Sequence, residues 1–493
     1  MRNSKVNTLV KKLLRYVMIL AITVLYNCNN DDDSNTNPTQ LTSNEIIAAL
    51  TNSGNSKTWK IESATLTNEV LTDANITTNF NIQDDEFLFS SETDEAITLS
   101  HRGRYDFNAV ASTIQASLSN NYKSPEQHEF VLSLTSNNQL SNETTNFTFN
   151  VINENLINGT LIYNAATTLN FTLSPKTASD YAQVPSSLNF SPITVLNTNS
   201  QLLQLGAVGF LGSYLHNSLF IAHRNDIDSQ TPNAEIIRKL DLINNSWSST
   251  EFLISDFTTK RLHIIDNELI SIGGSFINFY DLNAFSDPIT SENYTTNAYP
   301  AFSRFGSFQV NNNLYLVGGD FVAENSDRIY KFNDTFNTVE ITATMPSNKT
   351  WAQSEVVDNK AYVFSGQQLL NDSTPETLSY IYDIDTNDFT PFDLPYSLFT
   401  SYTAKYENLI FVAGDIRTDT NNDGILDQSQ PALGVYNTED NTYTDIQTNL
   451  GPVNGIPYTI FEMTILNDTL YIIYGNNLDS STTEYLIMEA SLL

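Results

Sequence analysis

Hydrophobic and polar positions in the last three hundred or so residues follow one repeated pattern. Two polar residues precede an apolar pair and an apolar run, and the run usually ends at a small residue. The pattern occurs at residues 217–222, 267–274, 312–319, 359–366, 407–414 and 468–475. Successive copies are separated by 50, 45, 47, 48 and 61 residues, counted from Leu219, Leu269, Leu314, Ala361, Leu409 and Leu470. A period near 50 residues, made of short strands and turns, predicts a β-propeller with four-stranded blades.

Each part of the repeat predicts a local structure. The polar pair predicts a tight hairpin turn, because Asn, Asp and Gly tolerate the backbone angles of such turns. The apolar run lacks clean alternation, which is typical of a strand buried on both faces between neighbouring blades. The small residue after the run is expected where the backbone passes close to a neighbour.

A second element follows most copies: an aromatic residue, a polar turn, and another hydrophobic residue seven positions on. It occurs at residues 332–339, 382–389 and 436–443, and residues 240–247 keep a Trp at the last position. This combination resembles the kelch repeat, which pairs Gly-Gly with a downstream Tyr and Trp. The resemblance covers roughly residues 190–493, although only the second and third copies keep both glycines. Another propeller family with the same blade geometry is the alternative.

The last repeat is one strand short, since the chain stops after residues 485–491. Residues 193–196, just before the first repeat, can supply the missing outer strand. Pairing the two ends closes the ring and removes an exposed sheet edge. The sequence therefore predicts an all-β protein with a six-bladed kelch-like propeller over residues 186–493.

The first 27 residues predict an export signal. They contain five basic residues and no acidic ones, and residues 16–26 are an apolar core too short for a comfortable membrane span. Cys28, the only cysteine, follows directly, and residues 25–28 resemble a bacterial lipobox. The resemblance implies lipidation of Cys28 after removal of residues 1–27. The alternative is an ordinary secreted protein with an incidental cysteine.

Residues 28–40 are rich in Asn, Asp, Ser, Thr and Pro and predict an acidic flexible tether. Acidic residues directly after the cysteine resemble the surface-export signal of lipoproteins in the Bacteroidetes. The resemblance implies an outer-membrane lipoprotein facing the cell exterior, and a solvated acidic linker is the alternative. The net charge of −33 argues against nucleic acid or an anionic membrane surface as a partner.

Residues 41–185 lack the repeat and predict a separate β domain. A capping box at residues 42–45 precedes a short helix. Strands with polar turns follow, and their alternation predicts an antiparallel barrel or sandwich. The helix, residues 57–60, and then Asp85 with Phe87 and Phe89 resemble the lipocalin-like domains of Bacteroidetes lipoproteins.

Residues 419–427 resemble a calcium loop and account for the 61-residue step. Oxygen ligands are expected at alternate positions with a glycine at position six, as in EF-hand-type loops. The predicted ligands are Asp419, Asn421, Asp423, the backbone carbonyl of Ile425, and Asp427. Gln430 stands where an EF-hand has a bidentate Glu. We expect a structural Ca²⁺ site of the short type found in secreted proteins, and an Asx-rich surface turn is the alternative.

The natural binding site of a propeller is the face where its long loops meet. Aromatic, amide, carboxylate and Arg side chains predicted on that face suit sugar rings, which stack on aromatics and offer hydroxyls for hydrogen bonds. The candidate ligand-binding residues are Arg224, Phe305, Asp320, Trp351, Gln367, Tyr402, Asp415, Arg417 and Tyr458. The alternative is that these residues only pack the rim of the channel.

The sequence contains no recognisable catalytic motif. Its five His residues lack metal-ligand spacing, and there is no Gly-rich phosphate loop and no Gly-x-Ser-x-Gly. The expected function is binding of a glycan or protein ligand without catalysis. A sugar-active enzyme such as a sialic-acid mutarotase, which is also a kelch propeller, is the alternative.

Overall fold

A computed structural model describes most of the chain from residue 41 to residue 492. The ranges outside the described residues are 1–40, 52–55, 69–70, 78–84, 92–95, 104–125, 135–137, 143–146, 197–207, 214–215, 226–233, 254–258, 266–267, 275, 286–289, 294, 297–303, 311, 320–325, 367–376, 399, 419–427, 454–457, 476–484 and 493. Among the described residues there is no helix of the length and apolar character needed to cross a bilayer.

The first part of the described chain is a closed barrel. Its elements are α1 (Ser43–Thr51), β1 (Lys57–Thr67), β2 (Ala74–Asn75), β3 (Glu86–Ser90), β4 (Ala96–Gly103), β5 (Glu126–Leu134), β6 (Gln139–Ser141), β7 (Phe147–Asn153), β8 (Leu156–Asn164) and β9 (Thr167–Pro175). Strands β3 to β9 pair in chain order, β1 pairs with both β3 and β9, and the short β2 extends β1. The sheet is thus an eight-stranded antiparallel barrel, and the sandwich alternative is wrong.

The barrel has one continuous apolar core. Alternate residues of each strand point inward, as in β9, whose buried and partly exposed positions alternate. Trp59, Phe87 and Phe149 lie fully buried in this core, and α1 adds Leu50. The Trp59 indole donates a hydrogen bond to Leu50 O at 3.2 Å, which ties the helix to the barrel.

The helix begins at the predicted capping box. Thr42 N donates to Glu45 Oε2 at 2.7 Å, and Glu45 N donates to Thr42 Oγ1 at 3.3 Å. These two bonds satisfy backbone donors that the first turn of a helix leaves open.

The second part of the described chain forms six sheets arranged as a propeller. Blade 1 is β12 (Gly209–Ser213), β13 (Ser218–Asn225), β14 (Ala234–Asp241) and β15 (Ser246–Leu253). Blade 2 is β16 (Arg261–Ile265), β17 (Glu268–Ile272), β18 (Phe276–Asp281) and β19 (Thr290–Asn293). Blade 3 is β21 (Gly306–Val310), β22 (Asn313–Val317), β23 (Arg328–Phe332) and β24 (Thr338–Thr344), with β20 (Thr295–Thr296) beside β24.

The other three blades follow the same order. Blade 4 is β25 (Gln353–Val357), β26 (Lys360–Phe364), β27 (Leu378–Asp383) and β28 (Phe389–Asp393). Blade 5 is β29 (Ser401–Tyr406), β30 (Leu409–Thr418), β31 (Gln428–Asn437) and β32 (Thr442–Asp445). Blade 6 is β34 (Thr459–Leu466), β35 (Thr469–Gly475), β36 (Tyr485–Ser491) and β11 (Ser191–Leu196). Just before β11, β10 (Ser187–Leu188) pairs in parallel with β33 (Gln447–Thr448), which follows blade 5.

The ring closes through strands from opposite ends of the propeller region. Strand β11 pairs antiparallel with β36, as the pattern at residues 193–196 predicts. The first strands of the blades, β12, β16, β21, β25, β29 and β34, each contact the next, and β34 contacts β12 again. They surround the central channel, and the prediction of six blades is confirmed.

The repeated apolar run forms the second strand of every blade. Leu219 lies in β13 and Leu314 in β22, one strand away from the channel. A two-residue turn precedes this strand, and in the fourth copy it lies one residue earlier than the polar pair of the pattern predicts. Its residues are Asp358 and Asn359, which both have the positive φ that a two-residue hairpin turn requires (49° and 57°), and Lys360 already begins β26. Six buried clusters fill the six layers between neighbouring blades.

The small residue after the run packs as expected at Gly366. Its φ is +97°, and a Cβ there would lie 2.6 Å from Thr350 O, in the connection that leads into β25. The prediction that the strand ends at Gly414 is wrong, because β30 continues to Thr418 in a long hairpin with β31.

A short linker joins the barrel to blade 5. Lys60 Nζ pairs with Asp180 Oδ1 at 2.6 Å, and Lys176 pairs with Glu86. Ala182 N donates to the side chain of Asn408 at 3.0 Å, in the turn after β29. The linker therefore meets the propeller at the end of the ring where the innermost strands finish.

Candidate binding site

The innermost strands all begin at the other end of the ring, and the predicted aromatics lie there. Phe305 and Tyr458 directly precede β21 and β34, Tyr402 is the second residue of β29, and Trp351 lies two residues before β25. The rings of Phe305, Tyr402 and Tyr458 are buried in the layers between blades. Trp351 alone of these four is partly exposed.

Trp351 is held in an unusual backbone conformation. Its φ is +62°, in the left-handed region that a bulky residue rarely adopts. Two backbone hydrogen bonds hold it there: Trp351 N donates to Arg304 O at 2.8 Å, and Ser401 N donates to Trp351 O at 3.4 Å. The Ser401 hydroxyl also donates to Trp351 O, at 3.5 Å. The Arg304 guanidinium lies 5.1 Å from the centre of the indole ring and stacks over it.

The same connection recurs one blade earlier. Arg304 also has a positive φ, of 55°, and its N–H donates to Thr259 Oγ1 at 2.8 Å. Thr259, Arg304 and Trp351 thus link the connections before the innermost strands of blades 2, 3 and 4. This chain of contacts orients Trp351 at the mouth of the channel.

Asp415 lies in β30 and is buried beside the same mouth. It accepts a hydrogen bond from the hydroxyl of Thr459, the first residue of β34. The contact joins blades 5 and 6 near the start of the innermost strands.

The remaining predicted residues fall outside what the structure describes. Asp320 and Gln367 lie outside the described residues, as do the side chains of Arg224 and Arg417. Cys28 and the whole predicted calcium loop, residues 419–427, also lie outside them. The described residues contain no group of three or more His, Cys, Asp or Glu side chains that could hold a metal ion.

Three side chains meet across the channel from alternate blades. They are Arg261 in β16 of blade 2, Gln353 in β25 of blade 4 and Glu462 in β34 of blade 6, here called the channel hub. All three are nearly buried, with 5%, 6% and 5% of their surface exposed. Arg261 Nη1 lies 3.8 Å from Glu462 Oε2, and it also donates to the backbone carbonyl of Lys260 at 2.9 Å.

The Gln353 amide connects the other two members of the hub. In one orientation its Nε2 donates to Glu462 Oε2 at 3.3 Å. In the other, its oxygen accepts from the Arg261 guanidinium, with Nη2 at 2.8 Å. The amide is thus in contact with both charged partners whichever way it is turned.

A β-bulge aims Glu462 at the hub. The register between β34 and β35 shifts between Ile460 and Glu462, which leaves Phe461 as the extra residue. Ile460 and Met463 then pack in the layer between blades 5 and 6, while Phe461 packs in the layer between blades 6 and 1. A bulge changes the direction of the following side chain, and this one turns a carboxyl toward the channel.

A second acidic group lies beside the hub in the same strand as Gln353. Glu355 Oε1 accepts from Thr403 Oγ1 at 3.3 Å. Lys405, also in β29, donates to Val356 O at 2.9 Å and attracts the Glu355 carboxylate. On the other side, His263 Nε2 and Ser307 Oγ are 2.8 Å apart. The channel is therefore lined by polar groups at the level below the hub.

Burial shifts the protonation of these groups. It raises the pKa of Glu462 to about 8, although Arg261 opposes the shift, and the nearby Glu355 carboxylate adds to it. Burial also raises the pKa of Glu355, opposed by Lys405 and Thr403. Burial, reinforced by Arg261, lowers the pKa of His263 to about 4. At neutral pH the hub therefore contains a protonated carboxyl beside a guanidinium.

Sequence reasoning missed every member of the hub. One signal was present: Glu462 is the one charged residue in the mostly apolar run at residues 460–466, and Arg261 opens the mostly apolar run at residues 261–265. The bulge that directs Glu462 inward has no comparable signature in the sequence.

Comparison with known proteins adds little. No protein-family model matches the chain, and no curated protein matches it in sequence. A solved structure of YjhT is similar to 59% of this chain and to 95% of its own, with 10% identity and a TM-score of 0.43. A likeness at this level supports no statement about activity.

Proposed function

We propose that the protein is a surface-exposed lipoprotein whose kelch-like propeller binds a ligand without catalysis. A glycan is the class that the channel mouth suits best, and a protein ligand is the other class. The binding face is the end of the ring where the innermost strands begin, away from the linker to the barrel.

The observation that carries the proposal is the placement of Trp351. Its flat ring is partly exposed, is stacked by Arg304, and is held by a backbone conformation that costs free energy. Strain of this kind persists where surrounding contacts impose it, and it is common at ligand sites. A partly exposed indole beside a guanidinium offers both a stacking surface and hydrogen-bond donors to a sugar.

A glycan array followed by titration calorimetry tests the proposal. We expect Trp351→Ala to weaken binding of a captured glycan about tenfold or more, which corresponds to ~1.4 kcal/mol. Trp351→Phe should keep part of the affinity, since it keeps a stacking surface. Trp247→Ala is the matched control, because Trp247 lies on the outer strand β15, away from the channel.

The two possible failures, a wrong binding site and a wrong ligand class, give different results. Undiminished affinity in Trp351→Ala would place the site elsewhere. If the wild-type protein binds no glycan on the array, the glycan class fails and a protein ligand becomes the remaining candidate.

A sugar-active enzyme is a second candidate, and one observation favours it. Glu462 and Glu355 are two acidic groups in one channel whose pKa values burial raises toward neutrality. General acid–base catalysis works best with such values. NMR exchange spectroscopy on reducing sugars, including sialic acid, tests this. Anomer exchange no faster than without protein would exclude mutarotation, whereas acceleration lost in Glu462→Gln would support it.

The outer-membrane location and the lipocalin-like nature of the barrel are also proposals. The proposed membrane anchor is a lipid on Cys28. Metabolic labelling with a fatty acid should therefore label the wild-type protein and leave Cys28→Ser unlabelled. Protease treatment of intact cells should then remove the propeller if it faces outward.

The calcium site is proposed at Asp419, Asn421, Asp423, Ile425 and Asp427. Calorimetric titration with Ca²⁺ should show one site that Asp423→Asn weakens. If the wild type and Asp423→Asn give identical Ca²⁺ titration curves, the proposed calcium site is wrong.

A further inference from the structure

We infer that the channel hub is a proton-dependent latch that joins blades 2, 4 and 6 across the axis when Glu462 is protonated and loosens when it ionises. The inference concerns the channel itself and is independent of the ligand proposed above.

The geometry of the hub differs from the packing between neighbouring blades. Neighbouring blades already pack through the six apolar layers. Arg261, Gln353 and Glu462 instead join blades that do not adjoin, and Gln353 and Glu462 are 109 residues apart in the chain. The hub is thus a cross-connection, and its strength controls how far the three blades hold together at the mouth.

Protonation of Glu462 decides which hydrogen bonds the hub can make. With Glu462 protonated, its hydroxyl can donate to the Gln353 oxygen, which also accepts from Arg261 Nη2 at 2.8 Å. With Glu462 ionised, that oxygen would face a carboxylate. The amide must then turn its N–H₂ toward Glu462, which brings it against the N–H donors of Arg261. Only the protonated state satisfies all three side chains at once.

Two charged side chains act on Glu462: Arg261 on β16 and Glu355 on β25. Among the strands packed against β34, β29 contributes Lys405, which acts on Glu355, and β30 contributes Asp415, which is hydrogen-bonded to Thr459. Strands β12, β21, β31 and β35 contain no charged residue. Arg261 favours the carboxylate, but burial and Glu355 oppose it. Because Glu355 also becomes ionised as the pH rises, repulsion between the two carboxylates adds to the loosening.

Hydrogen–deuterium exchange with the full-length protein tests the latch. After correction for the chemical exchange rate, we expect amides of β16, β25 and β34 to exchange on the order of tenfold faster at about pH 9 than at about pH 6.5. Strands β12 and β21 are the internal control, because they supply no hub residue. A ¹³C NMR titration of the Glu462 carboxyl should show a midpoint near 8.

Two variants make the test decisive. Glu462→Gln keeps the shape and cannot ionise, so the pH response of exchange in the three strands should shrink to the part due to Glu355. Glu340→Gln makes the same chemical change on the exposed face of β24 and should behave as wild type. A pH response as large in Glu462→Gln as in the wild type, or a Glu462 carboxyl that titrates near 4.5, would overturn the inference.

Discussion

The barrel and the propeller close their sheets in different ways, and the difference determines where polar groups can be buried. The barrel is one sheet whose ends, β1 and β9, pair directly. Its interior is a single apolar cluster. The propeller closes through β11 and β36, and its apolar interior is divided into six layers around a channel. Because no layer fills that channel, polar side chains can meet there without displacing the core.

One polar pair in the barrel sharpens the comparison. His101 Nε2 lies 3.4 Å from Asp85 Oδ1, and both side chains are buried. The Phe87 ring is 5.1 Å from the His101 ring. This pair lies in the barrel core beside Phe87 of the neighbouring strand β3, whereas the channel hub is assembled from three distant segments of the chain.

The largest expected effect is in the barrel core. Trp59→Ala should destabilise the barrel by about 3–5 kcal/mol, because it removes a fully buried ring and leaves a cavity. It also removes the hydrogen bond to Leu50 O. Hydrogen exchange and urea unfolding should show the barrel strands opening while the propeller strands keep their protection. Equal loss of protection in both regions would show that the two are one cooperative unit.

The next largest effect is in the closure of the propeller. Leu196→Ala should cost about 2–4 kcal/mol, because Leu196 is buried between blades 6 and 1 at the end of β11. The loss should appear first in β11 and β36. Ile193→Ala is the control, since Ile193 is only partly buried against the same cluster. If both variants lose the same stability, closure does not depend on that buried contact.

The comparison also explains what the sequence could predict. The repeat and its turns are local, so the hairpin turn before β26, to within one residue, and the closing strand at residues 193–196 follow from the pattern. The barrel strands follow from alternation. The hub depends on how six separate strands converge and on the bulge at Phe461. Those are properties of the assembled ring, and no local pattern encodes them.

A smaller effect, the pH dependence of the free energy of unfolding, should distinguish the propeller from the barrel. Burial raises the pKa of Glu462 from its ordinary value near 4.5 to about 8 in the folded state. Between those values the folded protein holds a proton that the unfolded chain has lost. Propeller stability should therefore fall as pH rises toward 8, by at most about 1.4 kcal/mol per pH unit for one group, and level off above 8.

The window from about pH 6.5 to 8 is the cleanest place to measure this effect, using urea unfolding. Below pH 6.5, the titration of His263 changes the stability of the propeller in the opposite direction. Its pKa is lowered to about 4, so stability falls as pH drops below the ordinary value of 6.5. Glu462→Gln should flatten the slope between pH 6.5 and 8, leaving the part due to Glu355. If the free energy of unfolding of Glu462→Gln depends on pH as steeply as that of the wild type, another group is responsible for the pH dependence.

The smallest expected effect concerns Trp351 and separates strain from packing. Trp351→Ala and Trp351→Gly both remove the indole, but only glycine is unstrained at a φ of +62°. The Gly variant should therefore be more stable than the Ala variant by about 1 kcal/mol. At Trp247, in the strand β15, the order should reverse, because glycine in a strand costs roughly 0.5–1 kcal/mol relative to alanine. Urea unfolding of the four variants measures both differences. If Ala and Gly are equally stable at position 351, its backbone stores no strain. The channel mouth would then hold Trp351 at no cost in stability.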